Sequence, residues 1–257
     1  MLILLSDFGL QDVYVGVMKG AIARINPSLV VVDLTHSIPP QNIAAGRFAL
    51  MNACSYFPEG TVHVAVVDPG VGSGRRGVVV EFAGGFLVGP DNGLFSGVLS
   101  LFPAIAAFEL TNTEYWLTPT PSSTFHGRDI FAPVGAHIAG GVSPTVLGDK
   151  IDVKSLVSLS LPECEVRSTG ILGYIQYVDY FGNLITNIPG VLVQGKSWFV
   201  RVGNEMIPGS YTYSDRPPGA ILALVGSHGW VEVAVNCGNA KLTLQLDWLD
   251  QLVVVFG

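Results

Sequence analysis

Residues 2–68 alternate between short apolar runs and segments of helical spacing, and this alternation constrains the fold more than any other feature. Apolar residues recur every three or four positions in the helical segments and are nearly continuous in the short runs. Strands and helices that alternate through short connections predict a parallel sheet covered by helices. The predicted strands are Leu2–Leu5, Leu29–Asp33 and Val62–Asp68, and the predicted helices are Asp12–Ile25 and Gln41–Cys54.

The remaining chain continues this pattern at first and then changes character. Gly77–Phe82 and Phe86–Val88 predict a hairpin, and helical spacing returns at Leu94–Leu101 and Asp129–Ala139. From Ser168 onward the sequence predicts only short strands and turns, namely Gly170–Val178, Leu184–Ile188, Trp198–Val202, Ala220–Val225, Val231–Val235, Leu242–Leu246 and Leu252–Phe256. Short strands at this spacing are typical of a small barrel or sandwich.

The sequence therefore predicts an α/β protein with two domains. Residues 1–160 are expected to form an α/β domain whose central sheet is largely parallel and flanked by helices. Residues 161–257 are expected to form an all-β, barrel-like domain.

A glycine-rich loop follows the third predicted strand, in the segment from Val64 to Arg76. Gly72, Gly74 and Gly77 match the dinucleotide-binding fingerprint G-x-G-x-x-G. That fingerprint requires the glycines to open a helix, whereas the residues after Gly77 predict a β-strand. We therefore reject dinucleotide binding. The same loop carries Asp68 and two adjacent arginines at a strand end, where open α/β sheets bind ligands.

Composition limits the partners of the chain. The net charge of −7 argues against a general affinity for nucleic acid. No apolar run approaches the roughly 20 residues that span a membrane. Because 49% of residues are hydrophobic and only 13% are charged, we expect apolar surface to be buried between subunits. Cys54, Cys164 and Cys237 fit no zinc or disulfide spacing, so we expect a reducing, cytoplasmic setting.

Three predicted strands of the first domain end in a carboxylate, at Asp7, Asp33 and Asp68. Capping of the following turn or helix would explain one or two of them. Three on one sheet edge would line a crevice suited to a polyhydroxylated, positively charged small molecule. We do not expect a metal, because no His/Asp pair has the spacing of metal ligands.

A second polar cluster is Thr124-Phe125-His126-Gly127-Arg128-Asp129, which leads into a predicted helix. Asp129 suits the first helical turn. His126 taken alone has two readings, a loop residue with a backbone partner or a residue of a reactive site. Arg128 is better explained by an ion pair with a surface acid than by chemistry.

The motifs taken together resemble one family, the S-adenosyl-L-methionine hydroxide adenosyltransferases, which are adenosine-forming hydrolases related to the fluorinase and chlorinase. The resemblance runs in order through both predicted domains. It is carried by SDFG at 6–9, Asp12, DLTH at 33–36, DPGVG at 68–72, GPDNGL at 89–94, FHGRD at 125–129 and DYFGN at 179–183. The resemblance implies an α/β domain followed by a barrel-like domain. It also implies a homotrimer whose sites lie between the first domain of one subunit and the second domain of its neighbour.

The resemblance implies that water attacks the ribose C5′ of S-adenosyl-L-methionine while the sulfonium leaves. The positions that match the family's water-binding acid, arginine and histidine are Asp68, Arg75 and His126. A carboxylate or a neutral imidazole can accept the proton of the attacking water, and a guanidinium can stabilise developing hydroxide. No metal or cofactor is implied. Arg76 competes with Arg75, and the sequence favours Arg75 only through the family spacing.

Substrate positions carry over from the resemblance more loosely. Asp7 matches the acid that binds the ribose diol, Asp179 a contact to the methionine amine, and Asn183 an adenine contact. Ser227 matches a carboxylate-binding serine, and the next residue is His228 where the fluorinase has arginine. Further positions implied to line the substrate are Asp12, Tyr14, Tyr213, Glu232, Val235 and Cys237. Turn chemistry alone is the competing explanation for Asn183 and Ser227.

Two alternative functions stay open at this point. A halogenase on the same scaffold would need a dry pocket with neutral donors, and Asp68 would repel a halide at close range. The fluorinase has neutral residues at the positions of Asp68 and His126 and a serine at that of Gly127, which favours water over halide here. The second alternative is a non-catalytic protein that binds adenosine or S-adenosyl-L-methionine without turnover.

Overall fold

The computed structural model describes residues 1–257 and divides into two compact units, Met1–Leu159 and Ser160–Gly257. Each unit has its own apolar core. No helix in the chain combines the length and the apolar character needed to cross a membrane.

The first unit is built on a seven-stranded sheet with the strand order β2-β1-β3-β5-β4-β6-β7. Strands β2, β1, β3 and β5 are parallel, and β4, β6 and β7 add to them in antiparallel fashion. The strands are β1 (Leu2–Ser6), β2 (Val31–Thr35), β3 (Thr61–Val66), β4 (Gly77–Phe82), β5 (Gly85–Pro90), β6 (Ala106–Glu109) and β7 (Asp149–Ile151). The α/β class is confirmed. The sequence did not predict β6 and β7, which are too short to carry a clear alternation.

Four helices accompany this sheet, namely α1 (Tyr14–Ile25), α2 (Ile43–Ala53), α3 (Ser96–Leu101) and α4 (Ala132–Ala139). The side chain of Asn42 caps α2 by accepting a 2.9 Å hydrogen bond from the Ala45 amide. The helix predicted to begin at Asp129 is preceded by a π-helical turn, Gly127–Phe131, which runs directly into α4. Such turns are often found at functional sites.

Strand β3 lies at the centre of the first core and is buried along its whole length. Its residues Val62, Val64 and Val66 belong to the same core cluster as Phe131 of the π-helical turn. Helix α4 packs closely on this strand, since a Cβ atom at Gly135 would lie 2.4 Å from a methyl group of Val64. This close packing fixes the π-helical turn, and His126 just before it, relative to the sheet.

The carboxyl ends of the parallel strands meet at one edge of the sheet. Asp7 follows β1, Asp68 lies two residues after β3, and Asp91 follows β5. Because β4 runs antiparallel to β5, Arg75 and Arg76 begin at the same edge. Acids and arginines are therefore brought to a single edge.

Asp33 departs from this arrangement. It was predicted to end its strand, but β2 continues to Thr35, so Asp33 lies within the strand. Its carboxylate contacts Lys19 at 2.6 Å and His36 at 3.1 Å.

The second unit is a nearly closed, antiparallel barrel with the strand order β12-β11-β15-β9-β10-β14-β13 and with β8 paired to β9. A bridge between Gly209 and Ala223, with a 2.7 Å hydrogen bond from the Ser210 amide, links the two ends of the sheet. The strands are β8 (Glu165–Arg167), β9 (Gly170–Val178), β10 (Leu184–Pro189), β11 (Trp198–Val202), β12 (Glu205–Pro208), β13 (Ile221–Val225), β14 (Trp230–Val235) and β15 (Gln251–Phe256). The predicted barrel-like architecture is confirmed.

The second unit differs from the prediction in three details, one of which is the unpredicted strand β8 (Glu165–Arg167). Residues 242–246, predicted as a strand, belong largely to the short helix α5 (Ala240–Leu244). The side chain of Asn239 caps the first turn of this helix by accepting a 2.9 Å hydrogen bond from the Leu242 amide. Such a cap favours a helix even where the apolar residues resemble a strand. Strand β12 was not predicted, although the Gly203-Asn204 pair before it is a recognisable hairpin turn.

Candidate active site

The loop from Asp68 to Arg75 is a tight turn. The Val71 amide donates to the Asp68 carbonyl at 3.2 Å, and the Ser73 amide donates to the Gly70 carbonyl at 3.1 Å. Gly72 has a φ of +76°, and a Cβ atom there would lie 2.2 Å from the Ser123 carbonyl oxygen. Glycine is therefore required for backbone geometry and close packing. Since strand β4 follows at Gly77, the loop leads into a strand, as the sequence predicts, and does not open a helix.

Asp68 and Arg75 form a buried ion pair at the end of this loop. The Nε atom of Arg75 lies 2.9 and 3.0 Å from the two carboxylate oxygens, and Nη2 also contacts Oδ2. The side chains are 5% and 11% exposed, respectively. The ring of Phe131 lies under the guanidinium, with its centroid 5.2 Å from Cζ. A two-point pair supported by an aromatic face holds both groups in a fixed orientation.

His126 completes a cluster with this pair. Its Nδ1 atom lies 2.8 Å from Nη2 of Arg75. A guanidinium can only donate, so Nδ1 accepts and the proton of a neutral imidazole resides on Nε2. Burial lowers the pKa of His126, and the nearby Arg75 lowers it further, while Asp68 and Asp129 act in the opposite direction. The ring is therefore neutral near pH 7 and presents an N–H donor on its far side.

Arg76 has different partners from Arg75. Its Nε and Nη2 atoms bind Oδ2 of Asp91 at 3.0 and 2.5 Å, and Nη2 also donates to the Ser155 carbonyl at 2.6 Å. The other oxygen of Asp91 accepts a 2.8 Å hydrogen bond from the Val157 amide. Arg75, not Arg76, lies beside Asp68 and His126, while Arg76 secures the segment that ends the first unit.

The remaining predicted site residues of the first unit lie around the loop after β1. Asp7 accepts a 2.7 Å hydrogen bond from the Gln41 amide through Oδ2. Asp12 and Tyr14 are exposed. Tyr14 lines a cleft of about 370 Å³ whose other lining residues are Phe8, Ser122, Thr124, Phe125 and Arg128.

Phe8 and Phe125 were not predicted as site residues. Their rings pack edge to face at 5.6 Å, and each also contacts the ring of Tyr14. The available signal was their position, since each is the chain neighbour of a candidate polar residue, Asp7 or His126. Aromatic side chains at such positions give the cleft an apolar wall next to its polar groups.

In the second unit, Asp179 and Asn183 bind each other across the turn between β9 and β10. The Asn183 amide donates to Oδ1 of Asp179 at 2.8 Å, and its side-chain amide donates to Oδ2 at 2.9 Å. The register of β10 on β14 pairs Leu184 with Val233, so Asn183 lies toward the Val235 end of β14. Cys237 follows that end and is exposed.

Glu232 is the centre of another polar cluster in the second unit. This carboxylate is buried and accepts a 2.6 Å hydrogen bond from the Tyr213 hydroxyl, while its second oxygen lies 2.9 Å from Nε2 of His228. The Trp230 amide donates to Nδ1 of His228, so the proton of a neutral ring is on Nε2 and points to Glu232. Burial and the bond to Glu232 raise the pKa of Tyr213. Both oxygens of Glu232 thus have a protein partner.

Ser227 lies in the turn between β13 and β14 and is exposed. This turn is at the opposite end of β14 from Val235. The predicted residues of the second unit therefore form two groups at opposite ends of one strand. Asp179, Asn183, Val235 and Cys237 make up the first group, and Ser227 belongs to the second.

The structure contains no group of three or more His, Cys, Asp and Glu side chains that could hold a metal ion. Its fold and polar clusters define a class: a two-unit protein with an α/β sheet followed by a β-barrel. In the first unit, the carboxylate of Asp68, the guanidinium of Arg75 and the imidazole of His126 lie together at the carboxyl edge of the parallel strands.

The chain belongs to the S-adenosyl-L-methionine hydroxide adenosyltransferase family, as the sequence motifs indicated. The family's N-terminal domain matches residues 2–148 and its C-terminal domain matches residues 173–253.

Relatives and solved structures agree with this membership. The chain is 40% identical over 253 residues to an (R)-S-adenosyl-L-methionine hydrolase of Salinispora arenicola, covering 98% of this chain and 96% of the relative. It is 43% identical over 252 residues to one of Thermus thermophilus, covering 94% of each. A fluorinase of an Actinoplanes species is 31% identical over 209 residues, covering 72% and 70%. A crystal structure of a conserved protein from Thermotoga maritima superimposes with a TM-score of 0.93 at 35% identity, covering 99% and 100%.

Proposed function

We propose that the chain hydrolyses S-adenosyl-L-methionine to adenosine and L-methionine. The observation that carries this proposal is the half-buried cluster of Asp68, Arg75 and His126 at the carboxyl edge of the sheet. Relatives named (R)-S-adenosyl-L-methionine hydrolase, at 33–43% identity over nearly the full chain, support it further.

In the proposed reaction the oxygen of a water molecule bonds to the ribose C5′ while the C5′–S bond breaks. The sulfonium sulfur takes the bonding electron pair and leaves as the thioether of methionine. Water must be held in line behind C5′, roughly 3 Å away, which is what fixed polar groups accomplish. The proton that water loses passes to a base and then to solvent.

We propose a role for each member of the cluster from its hydrogen bonds. The Nδ1 atom of His126 is already occupied by Arg75, so His126 offers an N–H donor to the oxygen of water and not a basic nitrogen. Among the three groups the carboxylate of Asp68 is then the proton acceptor, because its oxygens have acceptor capacity beyond the bonds from Arg75. Arg75 neutralises Asp68 and stabilises the negative charge that develops on the water oxygen. The reaction uses water and substrate alone.

Substrate recognition is proposed from the family positions. Asp7 has one carboxylate oxygen bound by the Gln41 amide, and its other oxygen is proposed to bind the ribose diol. Asp12, Tyr14, Tyr213, Ser227, Glu232, Val235 and Cys237 are proposed to line the substrate, with Asp179 and Asn183 contacting the methionine amine and the adenine.

A homotrimer is proposed as the working assembly, with each site formed by the first unit of one subunit and the second unit of its neighbour. Exposed apolar side chains occur in each unit, among them Leu10, Val13, Tyr180 and Phe181, and favour burial against another subunit. Sedimentation or light scattering that finds a monomer would contradict this assembly. A cytoplasmic location is proposed because all three cysteines are free.

The test of the function is to incubate the purified protein with S-adenosyl-L-methionine and measure adenosine and methionine by chromatography. We expect both products in equal amounts, with no halide added and with a metal chelator present. Adenosine formation no faster than in buffer would contradict the hydrolase. Added chloride or fluoride should yield no 5′-halogenated adenosine, and such a product would support a halogenase instead. Tight binding without turnover would identify a non-catalytic protein.

Asp68→Ala is the matching variant for the mechanism. We expect a loss of about 100-fold or more in kcat, since it removes both the base and the partner that orients Arg75. Asp91→Ala breaks the neighbouring Asp–Arg pair, which the mechanism does not use, and serves as the control. An Asp68→Ala protein as fast as the wild type would contradict the mechanism and leave the fold unaffected.

A further inference from the structure

A series of polar groups, partly exposed at Lys19 and Asp33 and buried at His36 and Ser6, connects helix α1 and strand β2 to the loop after β1. Nζ of Lys19 donates to Oδ2 of Asp33 at 2.6 Å, and Oδ1 of Asp33 lies 3.1 Å from Nε2 of His36. Nδ1 of His36 lies 2.7 Å from the hydroxyl oxygen of Ser6, which in turn accepts a 3.3 Å hydrogen bond from the Phe8 amide.

The proton positions in this series of polar groups follow from the groups at its two ends, the Asp33 carboxylate and the Phe8 amide. Burial raises the pKa of Asp33, but the hydrogen bond from Lys19 and the nearby His36 outweigh burial and hold that pKa below its ordinary value. Nε2 of His36 faces Oδ1 of Asp33 at 3.1 Å without the alignment of a hydrogen bond, and we assign the proton of a neutral ring to this nitrogen because a carboxylate only accepts. Nδ1 then accepts from the Ser6 hydroxyl, whose oxygen is free to accept from the Phe8 amide. The Ser6 hydroxyl thereby links the His36 ring to the Phe8 amide.

The arrangement has the order of a Ser–His–Asp triad, but it cannot act as one. The Ser6 side chain is completely buried and His36 is 3% exposed, so no substrate can reach the hydroxyl. The hydroxyl oxygen also holds the Phe8 amide. A nucleophile needs access and a free line of approach. A structural role is the one that remains.

An irregularity in β2 allows this chain to form. The pairing of β1 with β2 matches Leu4 with Asp33 and then Leu5 with Thr35, so β2 carries one extra residue. In a regular strand, residues three apart such as Asp33 and His36 point to opposite faces. One inserted residue turns both toward the same side, the known effect of a β-bulge.

Two further bonds tie the same loops together. The Gly9 amide donates to the His36 carbonyl at 2.8 Å, and the Gln41 amide donates to the Asp7 carboxylate at 2.7 Å. Gln41 has a φ of +65°, a conformation that non-glycine residues rarely adopt. Three hydrogen bonds therefore hold the loop at residues 7–9. The Asp7 carboxylate accepts from the Gln41 amide, the Gly9 amide donates to the His36 carbonyl, and the Phe8 amide donates to the Ser6 hydroxyl.

We propose that Ser6, Asp33 and His36 are positioning residues for the substrate, acting as a relay that fixes the loop carrying Asp7. The proposal rests on the proposed function, in which Asp7 binds the ribose diol. None of the three relay residues touches the substrate. Their effect is to hold the Asp7 carboxylate in the orientation that binding requires.

Ser6→Ala tests the relay because it removes the link between His36 and the Phe8 amide. Asp7 contacts the ribose before and during the reaction, so loss of its orientation weakens binding in both states. We expect KM for S-adenosyl-L-methionine to rise about fivefold with kcat within about twofold, the effect of one hydrogen bond. Hydrogen exchange at the Phe8 amide should become faster. Asp33→Ala, which changes a partly exposed side chain, should act in the same direction.

The matched control is Thr61→Val in β3. Thr61 is also a buried hydroxyl, which donates to the Pro58 carbonyl at 2.6 Å, and it lies outside the relay. Its loss should lower stability and leave KM unchanged. The relay is overturned if Ser6→Ala and Asp33→Ala leave KM unchanged, or if Thr61→Val raises KM equally.

Failure of the relay can be separated from failure of the proposed function. If the wild-type protein releases no adenosine, the function is contradicted, and the relay is then measured by adenosine binding and Phe8 exchange. Weaker adenosine binding in Ser6→Ala than in Thr61→Val would support the relay. Equal adenosine binding and equal Phe8 exchange in the two variants would overturn it.

Discussion

Arg75 donates a 2.8 Å hydrogen bond to Nδ1 of His126, and this contact determines which nitrogen of the imidazole carries a proton. Because a guanidinium cannot accept, Nδ1 stays unprotonated for as long as the contact exists. Protonation at Nδ1 would place two cations side by side. Burial and this repulsion both lower the pKa of His126. The contact thus ties the activity to the neutral state of the ring.

The first prediction is the pH dependence of the reaction. A group whose pKa is lowered loses its neutral form only as the pH falls through a value below its ordinary 6.5, so the midpoint of the acid decline in rate should lie below pH 6.5. His126→Asn keeps an acceptor toward Arg75 and does not titrate, so we expect a slower enzyme without this decline. Measurement of kcat/KM from pH 5 to 8 tests both. A wild-type decline with an apparent pKa above 6.5 would contradict the assignment.

The second prediction separates the two neighbouring arginines. Arg75→Lys replaces a planar, two-point partner of Asp68 with a point charge, and we expect kcat to fall about 10- to 100-fold. Arg76→Lys alters the pair with Asp91 and the bonds to Ser155, so it should lower the melting temperature with kcat within about twofold. Steady-state kinetics and thermal unfolding of both variants decide the matter. The reverse pattern would show that Arg76 serves the reaction.

The third prediction concerns the glycine-rich loop. Gly72→Ala forces a Cβ atom against the Ser123 carbonyl at a φ of +76°, and we expect a loss of about 2 kcal/mol or more in the free energy of unfolding. The displaced loop should also lower kcat, because it carries Asp68 and Arg75. Gly74→Ala is the control, since nothing lies within 4 Å of its added Cβ atom and its φ is not positive. Equal urea midpoints for the two variants would contradict the packing argument.

The fourth prediction is an acid-sensitive core at His63. This side chain of β3 is 1% exposed, neither ring nitrogen has a hydrogen-bond partner, and Phe57 and Phe82 pack against it. Burial lowers the pKa of His63 to about 4. The unfolded chain, with an ordinary pKa near 6.5, binds the proton first as the pH falls. Stability is therefore lost as the pH falls from about 6.5 toward 4.

The matched variant for this prediction is His63→Leu, which keeps an apolar group of similar size in the core. Between pH 7.5 and pH 5 the wild type should lose about 2 kcal/mol more unfolding free energy than the variant. Urea unfolding at the two pH values measures the difference. Groups that titrate in both proteins cancel from the comparison. An equal loss in both proteins would show that His63 does not set the acid sensitivity.

Much of the fold could be predicted because its elements have strong local patterns. The continuous apolar runs of β1 and β3 and the helical spacing of α1 and α2 predict the parallel half of the first sheet. Strands β6 and β7 are too short to have such a pattern. Residues 242–246 were predicted as a strand because of their apolar run, whereas the cap from Asn239 places residues 242–244 in helix α5.

Some features of the candidate site likewise depend on neighbouring residues, and others depend on residues that are distant in the sequence. The sequence by itself determined which acids follow β1 and β3, and that the glycine-rich loop leads into a strand, since both depend on neighbouring residues. Only the tertiary structure decided that Arg75 and not Arg76 contacts Asp68 and His126. The partners that distinguish the two arginines, His126 for Arg75 and Ser155 for Arg76, are distant from them in the sequence. The relay through Ser6 and His36 likewise depends on a bulge between paired strands. Hydrogen-bond partners distant in sequence are chosen by packing, and no local pattern encodes them.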